Sequence, residues 1–224
     1  NDVYVLRGNH EFENDFHGFH EDQEAYFEDD EMYSKFIDLF NYTPIAAVVN
    51  NEYICLHGGI GPSITCVEDI SKIEHPLVIP TRIVDEIVWS DPIEHDFAYS
   101  ESPRGAGFFF GKQPVTDFLE KSNLKGIIRG HSAIPSGCEK LFDGLVYTVH
   151  TASSMTQYDN NMSGVLLLKP GIEPEIFVYE TIKSSEYLQH KSLDQALSPI
   201  QVRSYPTLKA TKRIGKSKTK PNFG

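Results

Sequence analysis

Apolar positions recur in two different periods along this chain, and the period predicts its elements. Val3-Tyr4-Val5-Leu6 is a short β-rich run close behind Asn1-Asp2, with no initiating Met or leader, and it is read as a cut through a domain. Tyr33, Phe36, Ile37 and Phe40 fall at i, i+3, i+4 and i+7, the stripe of an amphipathic helix that Pro44 ends, and its aromatics are assigned to the core. Ile45–Val49 and Tyr53–Leu56 are apolar runs separated by Asn50-Asn51-Glu52, which predicts a β-hairpin. Pro114 opens a predicted helix through Ser122, with Val115, Phe118 and Leu119 turned inward. Gly126–Arg129, Leu145–Val149, Val165–Leu168 and Ile176–Tyr179 predict a strand-rich second half, and no internal repeat is apparent.

Beyond about Ile182 the apolar periodicity stops. Lys209 to Lys220 is rich in Lys, Thr and Ser, so disorder is expected there. The charge divides at the same place. Residues 1–182 hold 11 of the 20 Lys and Arg and 30 of the 32 Asp and Glu, a net −19, while 183–224 carry +7. The expected organisation is therefore a folded body over 1–182 and a basic tail over 183–224. An acidic body argues against nucleic-acid binding by that body. Glu21, Asp22, Glu24, Glu28, Asp29, Asp30 and Glu31 crowd one stretch, and a solvated helix face accounts for them better than a metal site does. No apolar run reaches the roughly 18 residues of a membrane helix, so no membrane partner is expected. Cys55, Cys66 and Cys138 are odd in number and scattered, which predicts reduced thiols in a cytoplasmic or nuclear setting.

Three times a β-like run ends in a tight glycine-containing turn that bears a histidine. The turns are Arg7-Gly8-Asn9-His10-Glu11, His57-Gly58-Gly59 and Gly130-His131-Ser132. One histidine alone is more often a surface or hydrogen-bonded residue. Three alike, from distant parts of the chain, point to one site where strand ends converge. Imidazole nitrogens and an amide oxygen suit Mn, Fe or Zn better than Ca or Mg. Asn9, His57 and His131 are neutral ligands, however, and a hydrolytic site also needs carboxylates to balance a dication. Glu11 and Asp91 are available by type, but neither lies in an evident ligand array.

Leu6–Glu11, Phe40–Ala47, His57-Gly58-Gly59-Ile60, Trp89-Ser90-Asp91-Pro92, Arg104-Gly105 with Phe109-Phe110-Gly111, and Arg129-Gly130-His131 together resemble the ordered motifs of the phosphoprotein phosphatase family. That family belongs to the calcineurin-like metallophosphoesterases. The resemblance runs from residue 1 to about 182. It implies an α/β fold, a β-sandwich flanked by helices, and two divalent metal ions. It implies that Asn9, His57 and His131 are ligands of the second ion, that His10 is the general acid, and that Arg104 holds the substrate phosphate. The implied reaction is hydrolysis of phosphoserine and phosphothreonine esters by water that two metals activate. A phosphoprotein substrate and an unidentified regulatory or targeting protein are the implied partners. Arg7 and Arg129 are candidates to assist Arg104, with framing of the loops the preferred role for both.

The departures from the family pattern are as informative. The motifs G-D-x-H-G and G-D-x-x-D-R-G, which supply the first metal's ligands, have no match here. This chain alone is therefore expected to show little or no phosphatase activity. Thr151-Ala152-Ser153-Ser154-Met155 stands where the family has S-A-P-N-Y, so Met155 replaces a tyrosine that lines the substrate site. Ser132 replaces a common glutamine. A same-fold phosphatase acting on nucleotides or small phosphoesters, and an inactive binding module, stay open as alternatives.

Overall fold

The computed structural model describes residues 2–12, 18–27, 31–152 and 161–180. The predicted basic tail lies outside these residues, as do Glu28, Asp29 and Asp30 of the acidic stretch and Ser153, Ser154 and Met155 of the substituted motif.

Five strands form the central sheet. They are β1 (Ala46–Val49), β2 (Tyr53–Leu56), β6 (Gly126–Arg129), β7 (Cys138–Leu141) and β8 (Val146–Val149), in the spatial order β1-β2-β6-β8-β7. The predicted hairpin is present as β1 and β2, antiparallel, with Val49 opposite Tyr53. Its turn carries Asn50 and Asn51 at positive φ, a conformation asparagine tolerates better than most residues. The three inner strands are parallel: Leu56 lies opposite Arg129, and Arg129 opposite Thr148. Their carboxyl ends consequently emerge side by side, and that register positions everything that follows.

Alternation along the strands fixes the core. Ile54, Leu56, Ile127 and Val146 belong to a buried cluster with Val84, Ile87 and Val88 of α4 (Arg82–Trp89) and Val115, Phe118 and Leu119 of α5 (Lys112–Ser122). Each fully buried aliphatic side chain of this kind contributes about 1.5–3 kcal/mol. Helix α5 starts two residues before Pro114. Proline in the first turn lacks only a donor that would have had no intrahelical partner. Asn123, in the left-handed conformation, ends the helix by donating to the carbonyls of Glu120 and Leu119. Glu86 is buried within α4 and satisfied, accepting from the amide and hydroxyl of Ser63 and from Arg82.

On the opposite face the hairpin of β9 (Ser163–Leu167) and β10 (Glu175–Tyr179) packs against β7 and β8, and Lys140 and Tyr147 both bond Glu173 across the junction. A small sheet completes the strands, with β3 (Asp91–Pro92) and β4 (Tyr99–Glu101) flanking β5 (Phe108–Phe110). These strands, α3 (Val67–Ser71), α4 and β7 have no counterpart in the pattern-based expectation.

Two expectations change. Val3–Leu6 forms no strand: it has no ladder partner among the described residues, and Val3, Tyr4 and Val5 are exposed. The predicted amphipathic helix exists as α2 (Glu31–Tyr42), but of its four stripe residues only Tyr33 is buried. Phe36 and Phe40 meet Phe19 of α1 (Phe19–Phe27) at ring-centroid distances of 5.4 and 6.1 Å. They form a satellite aromatic cluster rather than part of the central core, because α1 is the surface they meet. Glu21 and Glu24 of α1 are exposed, as the solvated-face reading requires.

Candidate metal and phosphate site

The turn after β2, the turn after β6 and the short 3-10 turn Asn9–Glu11 bring three predicted ligands together. His57 Nε2 lies 2.7 Å from Asn9 Oδ1 and 3.1 Å from His131 Nδ1. Donors about 2.1 Å from a common ion lie about 3 Å apart when they subtend a right angle, and these two separations are of that size. Among the described residues no group of three or more His, Cys, Asp or Glu side chains is arranged for a metal. The cluster is two imidazoles and an amide, as neutral as the sequence implied.

The backbone is shaped for this convergence. A Cβ on Gly8 would stand 2.7 Å from His57 Nδ1, so only glycine lets the first loop approach the imidazole this closely. Gly58 and Gly59 both donate to the carbonyl of Ile87, which anchors the second loop on α4. Gly130 donates to the carbonyl of His57 and ties the second loop to the third. His131 itself has φ +63°, an unusual conformation for a non-glycine residue and one that collects at functional sites. Trp89, the last residue of α4, packs edge-on against the His131 ring at 5.6 Å.

Burial pushes the His57 imidazole down to about 4; the positive charge of Arg129 adds to this, as do His10 and Arg104, and Asp91 opposes it. Burial lowers His131 in the same way against the opposition of Asp91. Both rings are therefore neutral at pH 7, the state in which an imidazole nitrogen can ligate.

His10 sits beside Asn9 in the 3-10 turn, exposed, and close enough for its charge to act on His57. Arg104 lies between β4 and β5, and its charge reaches both imidazoles. All five predicted site residues, Asn9, His10, His57, Arg104 and His131, thus belong to one region. The two carboxylates weighed as further ligands are engaged elsewhere. Glu11 Oε2 accepts from the amide of Gly8 at 2.7 Å. Asp91 is clamped by arginines: its Oδ2 accepts from Arg104 Nε at 2.6 Å and its Oδ1 from Arg129 Nη2 at 2.7 Å. Burial alone would raise the Asp91 pKa, but the bond from Arg104, the charge of Arg129 and the hydroxyl of Ser132 together hold it below the usual carboxylate value.

Arg7 and Arg129 do frame loops. Arg7 donates to the carbonyls of Leu77 and Glu11, and Arg129 to those of Gly58 and Ser90. The sequence reading missed the clamp around Asp91 and the part Ser132 plays in it. The signal was an aspartate two residues beyond the apolar helix stripe that ends at Trp89.

Residues 1–135 match the family described as calcineurin-like phosphoesterase. Over 185 residues the chain is 32% identical to the serine/threonine-protein phosphatase 4 catalytic subunit of Saccharomyces cerevisiae, covering 81% of this chain and 60% of that protein. It is 27% identical over 186 residues to a protein phosphatase 2A catalytic subunit of Dictyostelium discoideum, covering 82% of this chain and 60% of the relative. Among solved structures, a serine/threonine phosphatase from Saccharomyces cerevisiae with similarity to human phosphatase PP5 superposes with a TM-score of 0.73 at 25% identity, covering 82% of this chain and 62% of that one. The chain spans about 60% of the length of the curated relatives it matches.

Proposed function

This chain belongs to the calcineurin-like phosphoesterase family, and from that premise we propose that it is part of a serine/threonine protein phosphatase and contributes the second-metal half of the site. The observation that carries the reading is the convergence of Asn9 Oδ1, His57 Nε2 and His131 Nδ1, within reach of the charges of His10 and Arg104. Relatives named as phosphatase catalytic subunits support the substrate class.

Two divalent ions, Mn, Fe or Zn, would supply Lewis-acid charge and an acidified water to the complete site. Asn9, His57 and His131 would hold one of them. Arg104 would grip the phosphate: its Nε is tethered to Asp91, and its Nη groups have no protein partner among the described residues. His10 would give a proton to the departing serine or threonine oxygen, which is otherwise a poor leaving group. A regulatory or targeting protein as partner, and a cytoplasmic or nuclear setting, belong to the same proposal. All three cysteines are free, in keeping with a reducing compartment. No helix among the described residues is long and apolar enough to cross a membrane.

The test compares this chain with a fusion that places ahead of Asn1 a phosphatase segment chosen to bear the family motifs G-D-x-H-G and G-D-x-x-D-R-G. With Mn²⁺, the fusion should hydrolyse a phosphothreonine peptide and the chain alone should not. Absence of turnover in a folded, metal-loaded fusion would favour the inactive-module reading. Preference for nucleotides over phosphopeptides would move the substrate class to small phosphoesters.

A further inference from the structure

Ser132 follows the ligand His131, yet its hydroxyl turns into the charge cluster around Asp91. Oγ donates to Asp91 Oδ1 at 2.7 Å and accepts from Arg129 Nη1 at 3.0 Å. Arg129 Nη2 donates to the same Oδ1 at 2.7 Å, and Arg129 Nε to the carbonyl of Gly58 at 2.6 Å. Asp91 and Arg129 are both buried. The two oxygens of Asp91 are thus used differently. Oδ1 is held by two donors inside the protein, and Oδ2 is left to Arg104 Nε at 2.6 Å.

Arg104 needs that support. Its side chain is 38% exposed, and its loop contains Gly105 and Gly107, both at positive φ. An arginine on such a loop would sample many rotamers, and ordering it costs free energy each time phosphate binds. A carboxylate free to rotate about its Cβ–Cγ bond would let Arg104 swing with it. Two donors on Oδ1, from different directions, stop that rotation. We propose that Ser132 is a positioning residue for Arg104: its hydroxyl locks the Asp91 carboxylate so that Oδ2 holds Nε and the Nη groups are presented to a phosphate. The inference rests on the reading of Arg104 as the phosphate-binding residue. Loss of the hydroxyl leaves the Arg129–Asp91 bond in place, so the effect falls on Arg104 and not on the buried pair.

The experiment uses this chain labelled with ¹⁵N, in which exchange of arginine Hε protons with water is measured and Arg104 is assigned through Arg104→Lys. In Ser132→Ala, Arg104 Hε should exchange about tenfold faster, while Arg129 Hε, bonded to the carbonyl of Gly58, keeps its wild-type rate. Ser132→Thr, which restores a hydroxyl, should return Arg104 to the wild-type rate. An unchanged Arg104 in Ser132→Ala, a Thr variant that fails to rescue, or equal loss of protection at Arg129 would each overturn the proposal. Titration with inorganic phosphate in the presence of diamagnetic Zn²⁺ separates it from the reading beneath it. Phosphate should shift the Arg104 signal, with about tenfold weaker affinity in Ser132→Ala. If Ser132→Ala loosens Arg104 but phosphate perturbs it in neither protein, the positioning role stands and the phosphate-binding reading falls.

Discussion

His57 Nε2 and His131 Nδ1 face each other at 3.1 Å across 74 residues of sequence, with the two rings inclined at 64°. Two neutral imidazoles brought this close, with an amide oxygen 2.7 Å from one of them, make an arrangement that a cation stabilises. Calorimetric titration with Mn²⁺ or Zn²⁺ should therefore show one ion per chain. A free ion concentration of 100 times Kd should add about 2.7 kcal/mol of stability, read as a rise in Tm. His57→Ala should abolish both the heat and the shift. Two equivalent ions per chain, or an undiminished shift in His57→Ala, would count against the triad.

Asp91 is the counter-charge of buried Arg129, so Asp91→Asn should be costly. Stranding a buried charge costs about 3–5 kcal/mol, measurable as a lower urea midpoint with an unchanged m value. The pH dependence has a definite sign. The folded pKa of Asp91 lies below its ordinary 3.8, so its contribution is fully present above that value and is lost as pH falls through the lower folded value. Acid unfolding curves of the wild type should steepen below about pH 4 relative to those of Asp91→Asn. Parallel curves would show that Asp91 titrates alike in both states.

Gly59 is a steric requirement. A Cβ there would lie 2.1 Å from Cε1 of Phe110, a ring that is fully buried. Gly59→Ala should therefore destabilise the chain by about 1–3 kcal/mol, the usual cost of overpacking. The companion change Phe110→Leu should recover part of that loss when combined with it, because the two sites are in contact. Simple additivity in the double mutant would mean that the backbone had moved instead.

His10 separates acid from ligand. In the phosphatase-competent fusion, His10→Gln should slow hydrolysis of a phosphothreonine peptide by about 10²–10⁴. The effect on p-nitrophenyl phosphate, whose leaving group needs no proton, should be far smaller, and metal content should stay constant. An equal loss on both substrates, together with loss of metal, would make His10 a ligand.

Much of this site was legible because its ligands share one local grammar, a strand, a glycine turn and a histidine, which the chain repeats at His57 and His131. The apolar runs at 45–49, 53–56 and 126–129 were equally plain, and parallel pairing of the last two with each other turns that repetition into proximity. The elements missed are of another kind. Strands β3 to β5 have two or three residues each, too few for a period of two to emerge. Val3–Leu6 shows the converse error, since a β-rich composition makes no strand without a neighbouring edge to pair with. The clamp on Asp91 is tertiary altogether, because the arginines that hold it stand 13 and 38 residues away.

The left-handed backbone at His131 sets a limit on how this protein can be improved. A non-glycine residue in that conformation costs about 1–3 kcal/mol, borne by the fold before any ion arrives. Glycine would relieve the strain while removing the imidazole. Selection for thermal robustness alone would therefore erode this position, and the histidine marks a place where stability and function pull the same residue in opposite directions.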